Sequence, residues 1–259
     1  MRIALGVRYR GTAYHGWQSQ PDGRTVQDVL EKALAAFAGA PLRTTPAGRT
    51  DAGVHALQQV VHLDTALDRR EESWVRGTNR HLPDDVAVQW ARVVDPSFHA
   101  RASARGRRYT YRLLSAPVRP SLETGLVGWT HRRLDGDAMR AAAARLLGTH
   151  DFTAFRAAEC QAPSPVKTLR SVAVAGDADR DGSTRWTFDF EADAFLHHMV
   201  RNLLGSLIAV GSGDRDAAWL AGVLAGRDRS RAAPTFAAAG LCFVGPRYDA
   251  AFGIPDVAG

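Results

Sequence analysis

Cysteine is scarce in this chain, with only Cys160 and Cys242 among 259 residues. Two cysteines exclude a disulfide framework and a thiolate zinc site, and they suit a reducing compartment. The longest apolar run, residues 203–210, is far shorter than the about 20 residues that a membrane span needs. The opening MRIALGVRYRG lacks the apolar core and cleavage site of a signal peptide. These absences predict a cytoplasmic protein without a membrane segment.

Lysine is almost missing as well, since only Lys32 and Lys167 are lysines among 33 basic residues. The excess of arginine is what a GC-rich genome produces. The net charge of +6 and the pI of about 9.9 favour a polyanionic partner such as nucleic acid. The length suits one large domain or two modest ones, and 45% hydrophobic residues are typical of a globular chain.

Hydrophobic periodicity predicts the elements of the first half. Residues 2–10 alternate apolar and basic side chains, which predicts a half-buried strand with a basic outer face. Residues 25–38 have a helical apolar stripe, and Thr25 is a suitable N-cap. The remaining elements are predicted as strands at 42–45, 57–63 and 86–94 and a helix at 70–80.

The second half repeats this order, with strands predicted at 108–114, 169–175, 185–191 and 241–244 and helices at 137–147, 196–210 and 216–225. Two halves with the split βαβ order can join their sheets edge to edge. We therefore predict an α+β fold of two split-βαβ, ferredoxin-like halves, joined into one extended mixed, mostly antiparallel sheet with helices on one face. The predicted domains are residues 1–100 and 107–259.

The densest candidate for chemistry is the string AGRTDAGVHA at residues 47–56. It places Asp51 between two glycines in a short connection between predicted strands. A carboxylate held there beside Arg49 could keep a low pKa and act as a nucleophile or a base. The alternative is a turn aspartate that binds its own backbone. The sequence has no phosphate loop, HExxH or calcium-loop pattern, so no metal site is expected.

A second candidate is FLHHMVRN at residues 195–202, in a predicted amphipathic helix. His197 and His198 are adjacent, so on a helix they point about 100° apart and would not readily share a metal. Arg201 lies off the apolar stripe and could hold a carboxylate from another segment. A surface arginine is the alternative.

Arginines and tyrosines alternate in the run from Arg101 to Tyr111. Arginine can contact phosphate while a tyrosine such as Tyr109 stacks on a base. The alternative is a solvated linker that enters a strand, with both tyrosines in the core. The nearby DFTAFR, residues 151–156, is interpreted first as a packing loop.

These segments also occur in a familiar order. The chain resembles the TruA family of tRNA pseudouridine synthases, on the strings YHGWQ at 14–18, GRTDAGVHA at 48–56, RRYTY at 107–111, DFTAFR at 151–156, FLHHMVRN at 195–202 and GLCF at 240–243. The resemblance implies isomerisation of uridine to pseudouridine at positions 38, 39 and 40 of the tRNA anticodon stem-loop. It implies no metal or organic cofactor, and a homodimer.

The resemblance also implies a role for each matched residue. Asp51 corresponds to the catalytic aspartate, which either attacks the sugar or first removes a sugar proton. Tyr109 corresponds to the tyrosine that stacks on the flipped base, and Arg201 to the basic residue that pairs with the aspartate. Arg49 corresponds to an RNA-contacting arginine, and Leu241 to an apolar residue packed near the pocket.

Two other functions remain open on the residues alone. A non-catalytic RNA-binding module would also use basic and aromatic surfaces on split βαβ halves. A nucleoside glycosidase would want a second carboxylate as acid or base and would release free uracil. The position of Asp51 favours the enzyme, because a pure binding surface has little reason to place an acid in a cleft that faces phosphate.

Overall fold

The computed structural model describes residues 1–256. The chain forms two compact units. The first unit comprises Met1–Arg107 and the closing segment from Cys242 onward, and the second comprises Arg108–Leu241. The sequence placed the closing segment in the second half; it belongs to the first unit because its strand pairs there. Within residues 1–256, no helix is long and apolar enough to cross a membrane.

Over the described residues 1–256, the two units contain ten strands and five α-helices. In chain order they are β1 (Arg2–Tyr9), α1 (Val26–Ala38), β2 (Thr45–Pro46), β3 (His55–Asp64), α2 (Glu71–Asn79), β4 (Val86–Val94), β5 (Gly106–Ser115), β6 (Gly128–Thr130), α3 (Gly136–Ala144), β7 (Gly148–Asp151), β8 (Val166–Ala178), β9 (Thr184–Ala192), α4 (Met199–Gly211), α5 (Ala217–Gly226) and β10 (Leu241–Arg247). The predicted α+β class is confirmed, and most strand pairs are antiparallel.

The first unit is built on the strand order β4-β1-β3-β10. Strand β1 is antiparallel to both neighbours, and β10 runs parallel to β3 with Cys242 opposite His55. The short β2 pairs with β3. Of the predicted basic face, Arg8 and Arg10 are exposed and Arg2 is half-buried, but Ala4 and Gly6 on the same face are buried. The apolar cluster around Ala4 and Phe98, with Tyr248 packed against it, covers that face.

Helix α1 begins where the sequence predicts. The Thr25 side chain accepts a hydrogen bond from the Asp28 N–H, which satisfies one of the unpaired donors of the first turn. Val26, Leu30 and Leu34 of the predicted stripe are fully buried. This burial, rather than helix propensity, holds α1 on the sheet.

The second unit has the strand order β5-β9-β8-β7, with β6 parallel to β5. Strands β8 and β9 form a long antiparallel pair, and Phe188 and Phe190 are buried on the predicted face of β9. The buried stripe of α4 includes Met199, Leu203 and Leu207. Strands β6 and β7 were not predicted, because three and four residues are too few for a clear alternation.

Several predicted boundaries are wrong. The predicted strand at 42–45 is the two-residue strand Thr45–Pro46. The helix predicted from residue 196 begins only at Met199, because His198 adopts a left-handed backbone conformation with φ of 61°. Residues other than glycine rarely adopt that backbone conformation, and it is not helical. The helical apolar spacing of residues 196–200 therefore begins before the helix itself does.

Candidate active site

Asp51 lies in a tight loop between β2 and β3 of the first unit. The Val54 N–H donates to the Asp51 carbonyl at 3.1 Å, which closes a turn around the carboxylate. Asp51 is half-buried and Arg49, two residues earlier, is exposed. The structure thus keeps these two predicted site residues together on one loop.

Thr50 anchors the loop next to Asp51. Its buried hydroxyl lies 2.7 Å from the Tyr9 hydroxyl, and its carbonyl accepts from the Trp17 N–H at 3.0 Å. Burial raises the pKa of Tyr9, more than its hydrogen bond to Thr50 lowers it, so the phenol is neutral. The residue that precedes Asp51 is therefore fixed by both its side chain and its backbone.

Gly16 allows this contact to form. Its φ is 88°, and a Cβ added there would lie 2.7 Å from the Thr50 carbonyl oxygen. The sequence marked residues 14–18 only as part of a family resemblance. The structure gives Gly16 and Trp17 a function, which is to support the aspartate loop.

The first residues of the loop are held by side chains from two other segments. The Gln59 side-chain amide donates to the Gly48 carbonyl at 2.5 Å. An Arg107 Nη donates to the Ala47 carbonyl at 3.2 Å and to the Arg101 carbonyl at 2.9 Å. Arg107 therefore binds the protein's own backbone and links the loop to the 101–107 segment.

Tyr109 lies on β5 in the second unit. It is half-buried, and its ring packs edge-to-face on Phe195 with centroids 5.2 Å apart and an interplanar angle of 86°. Tyr111 points to the same side of the strand but is fully buried, which raises its pKa; the positive charge of Arg201 acts in the opposite direction. The core explanation thus holds for Tyr111, whereas the Tyr109 ring remains partly accessible.

Arg201 lies in the first turn of α4. Its Nε donates to the Phe236 carbonyl at 2.8 Å, which fixes the plane of the guanidinium. Arg201 is half-buried, so the interpretation as a plain surface arginine is not supported. The Phe236 ring packs edge-on against Tyr111, with centroids 5.9 Å apart.

The sequence predicted His197 and His198 on the helix, but in the structure they lie outside it. They precede α4, and their rings lie against each other with centroids 4.1 Å apart and an interplanar angle of 40°. Helical geometry therefore does not separate the two rings, contrary to the prediction. The His197 backbone links this segment to the 157–160 turn: its carbonyl accepts from the Ala157 N–H, and its N–H lies 3.4 Å from the Cys160 sulfur.

Leu241 closes the second unit. It is 3% exposed, and its N–H donates to the Ala238 carbonyl at 2.9 Å. The predicted site residues therefore fall into two groups. Arg49 and Asp51 belong to the first unit, and Tyr109, Arg201 and Leu241 belong to the second.

Sequence comparisons define the class of this chain as an RNA-modifying isomerase. A family model described as tRNA pseudouridine synthase matches residues 6–101 and 142–249. The chain is 65% identical over 256 residues to tRNA pseudouridine synthase A of Methylibium petroleiphilum, covering 99% of this chain and 96% of that protein. It is 62% identical over 257 residues to the enzyme of the same name from Variovorax paradoxus, covering 98% and 94%.

A third relative, tRNA pseudouridine synthase A of Paracidovorax citrulli, is 60% identical over 269 residues and covers 99% of this chain and 97% of its own length. The chain belongs to the tRNA pseudouridine synthase A family. Members of this family are isomerases.

Proposed function

We propose that this protein converts uridine to pseudouridine at positions 38, 39 and 40 of the tRNA anticodon arm, with Asp51 as the catalytic residue. The observation that carries the proposal is the construction of the Asp51 loop. Thr50 is bound through both hydroxyl and carbonyl, and Gly48 through its carbonyl. A loop fixed at the residues that lead into a half-buried carboxylate is a pre-organised catalytic element rather than an ordinary turn.

The reaction is balanced without a redox partner or a group donor. The N1–C1′ bond of uridine breaks, the uracil turns, and a C5–C1′ bond forms. Carbon 5 loses its hydrogen as a proton and N1 gains one. Asp51 takes part either by attacking C1′ or by first removing a sugar proton, and both routes need the ionised carboxylate.

The remaining predicted residues serve binding and electrostatics. A base in a stacked stem is inaccessible, so the target uridine is flipped out at a cost of a few kcal/mol. The partly accessible ring of Tyr109 stacks on the uracil, which returns about 1–3 kcal/mol. Arg201 pairs with Asp51 and keeps it ionised. The exposed Arg49 contacts RNA near the flipped nucleotide, and Leu241 packs beside the base.

Two further properties belong to this proposal. The protein acts as a homodimer in the cytoplasm, where its tRNA substrate is found. Light scattering at micromolar concentration is expected to give twice the chain mass of 28.0 kDa. A monomeric mass under the conditions of the activity assay contradicts the dimer.

The function is tested with an unmodified tRNA transcript that carries uridines in the anticodon arm. Carbodiimide labelling and primer extension then map pseudouridine. Wild-type protein is expected to give stops at positions 38–40. Asp51→Asn is expected to bind the tRNA but to lose at least about a hundredfold in rate.

Asp95→Asn is the matched control, because Asp95 is an exposed carboxylate of the same unit that caps the Ser97 N–H. It is expected to modify the tRNA like the wild type. If the wild-type protein binds the tRNA but forms no pseudouridine, the result supports the binding-module alternative instead. Release of free uracil supports the glycosidase.

A further inference from the structure

The loop after α5 is joined to the start of α4 by a two-way backbone and side-chain pair. The Phe236 N–H donates to the Arg201 carbonyl at 3.2 Å, and Arg201 Nε donates to the Phe236 carbonyl at 2.8 Å. The direction of the Arg201 guanidinium therefore depends on where residue 236 is held. Contacts that hold the loop at residue 236 therefore also hold the Arg201 side chain in place.

Asn202, the next residue of α4, is fully buried and binds on both sides of its side-chain amide. Its Nδ2 donates to the Phe155 carbonyl at 2.8 Å. Its Oδ1 accepts from the Thr235 hydroxyl at 2.6 Å and from Arg229 Nη2 at 3.1 Å. One buried side chain thus joins the 153–155 turn, α4 and the loop next to residue 236.

Arg229 closes the network from the other side. Its Nη2 also donates to the Thr235 hydroxyl at 3.1 Å, and its Nη1 donates to the Ala233 carbonyl at 3.0 Å. The backbone of the same loop touches α4 at Gly205, where an added Cβ would lie 2.3 Å from the Pro234 carbonyl oxygen. The loop is therefore held at several consecutive residues before it reaches Phe236.

We propose that Asn202, Thr235 and Arg229 are positioning residues that orient Arg201 for catalysis. The inference rests on the proposed function, in which Arg201 pairs with the catalytic aspartate. A long arginine side chain has several rotatable bonds. A fixed acceptor at Nε sets the orientation of the planar guanidinium and thus the direction of its two Nη groups. Fixing that plane in advance lowers the barrier of a reaction that needs the carboxylate in one position.

Thr235→Val tests the proposal, because it keeps the shape of the side chain and removes only the hydroxyl. The single-turnover rate on C5-tritiated tRNA, read as tritium released to water, is expected to fall about tenfold, since small displacements near the reacting groups are costly. The dissociation constant for tRNA is expected to stay within about twofold. Thr235→Ser retains the hydroxyl and is expected to restore most of the rate.

Thr168→Val is the matched control. It removes a threonine hydroxyl in the same unit, one that pairs with the Thr149 hydroxyl at 2.9 Å across β7 and β8. Because this hydroxyl pair is exposed, we expect a smaller loss of melting temperature and a wild-type rate. A rate loss that merely follows the loss of stability in both variants would overturn the positioning role.

The decisive measurement is the double variant Thr235→Val with Arg201→Lys. If the network acts through Arg201, Thr235→Val costs less than about twofold when the guanidinium is already gone. Independent, multiplying effects contradict the proposal, and so does a wild-type rate for Thr235→Val alone. Failure of the wild-type protein to form pseudouridine is a separate result, which contradicts the proposed function itself.

Discussion

The hydroxyl groups of Tyr9 and Thr50 lie 2.7 Å apart, and both residues are buried. Tyr9 is the last residue of β1, and Thr50 directly precedes Asp51. The pair therefore connects the central strand of the first unit to the residue beside the proposed catalytic carboxylate. Because a buried hydroxyl needs a partner, this contact also specifies the loop conformation.

Tyr9→Phe is expected to destabilise the protein by about 1–2 kcal/mol, since it leaves the Thr50 hydroxyl without its tyrosine partner. It is also expected to lower the rate of pseudouridine formation, because Thr50 can then shift with Asp51. Urea unfolding and the single-turnover assay measure the two effects. Tyr248→Phe is the control: it removes a phenol that donates to the Ala100 carbonyl in the same unit, and we expect wild-type activity. Equal activity of both variants would contradict the role of Tyr9.

Gly16 and Gly23 provide a matched pair for the backbone of the same segment. Both have positive φ, 88° and 65°, but only Gly16 faces the Thr50 carbonyl, whereas a Cβ at Gly23 would meet nothing within 4 Å. Gly23→Ala is expected to cost about 1 kcal/mol and to leave the activity unchanged. Gly16→Ala is expected to cost more and to reduce the rate. Thermal unfolding and the activity assay compare them, and identical behaviour would show that the contact with Thr50 is unimportant.

His62 makes the stability of the protein depend on pH. Burial, the charge of Arg2 and the neighbouring His99 lower its pKa from 6.5 to about 4, and its Nδ1 accepts from the Ala100 N–H at 3.2 Å. The unfolded chain binds a proton near pH 6.5 and the folded chain does not. The contribution of His62 to the free energy of unfolding is therefore fully present above pH 6.5. It falls by about 2 kcal/mol as the pH drops towards 4.

The His62 contribution is measured by urea unfolding of the wild type and of His62→Gln between pH 7.5 and 4.5. Glutamine retains an acceptor for Ala100 but does not titrate in this range. The difference in unfolding free energy between the two proteins is expected to change steadily below pH 6.5. A constant difference would contradict the assignment to His62, whereas losses shared by both proteins belong to other groups.

Two substitutions of Tyr109 test its proposed stacking on the flipped base. Its ring packs on Phe195 and stays partly accessible. Tyr109→Phe keeps the aromatic face and is expected to retain measurable activity, while Tyr109→Leu is expected to lose about 1–3 kcal/mol of base stacking and most of its rate. The single-turnover assay at saturating enzyme compares the three proteins. Equal rates in all of them would exclude a stacking role.

The sequence predicts the periodic elements well, because burial on one face leaves a local pattern. Strand Val86–Val94 and the Thr25 cap lie where they were predicted. The pairing of β10 with β3 could not be predicted, since nothing local in residues 241–247 specifies a partner almost two hundred residues earlier. The left-handed His198 is likewise set by surrounding contacts and not by the apolar spacing.

For the candidate site, the flanking glycines were enough to single out Asp51. The support of its loop was missed, because Tyr9, Trp17 and Gln59 reach it through hydrogen bonds from other segments. A polar side chain within a predicted strand, such as Gln59, was the available signal. It is fully buried, and a residue of this kind is normally kept there by a specific partner.

Salt dependence tests the proposed RNA contact of Arg49. Phosphate contacts release counterions, so the tRNA affinity is expected to fall steeply between 50 and 200 mM salt. Arg49 is exposed beside Asp51, and Arg49→Ala is expected to reduce the slope of log affinity against log salt by about one contact. Arg76→Ala, an exposed arginine on α2 of the same unit, is the control and should leave the slope unchanged. Filter binding over a salt series gives both slopes. An unchanged slope for Arg49→Ala would show that Arg49 does not contact the phosphates, because only a released counterion at that residue alters the slope. An equal loss in both variants would show that the contact is not specific to the arginine beside Asp51.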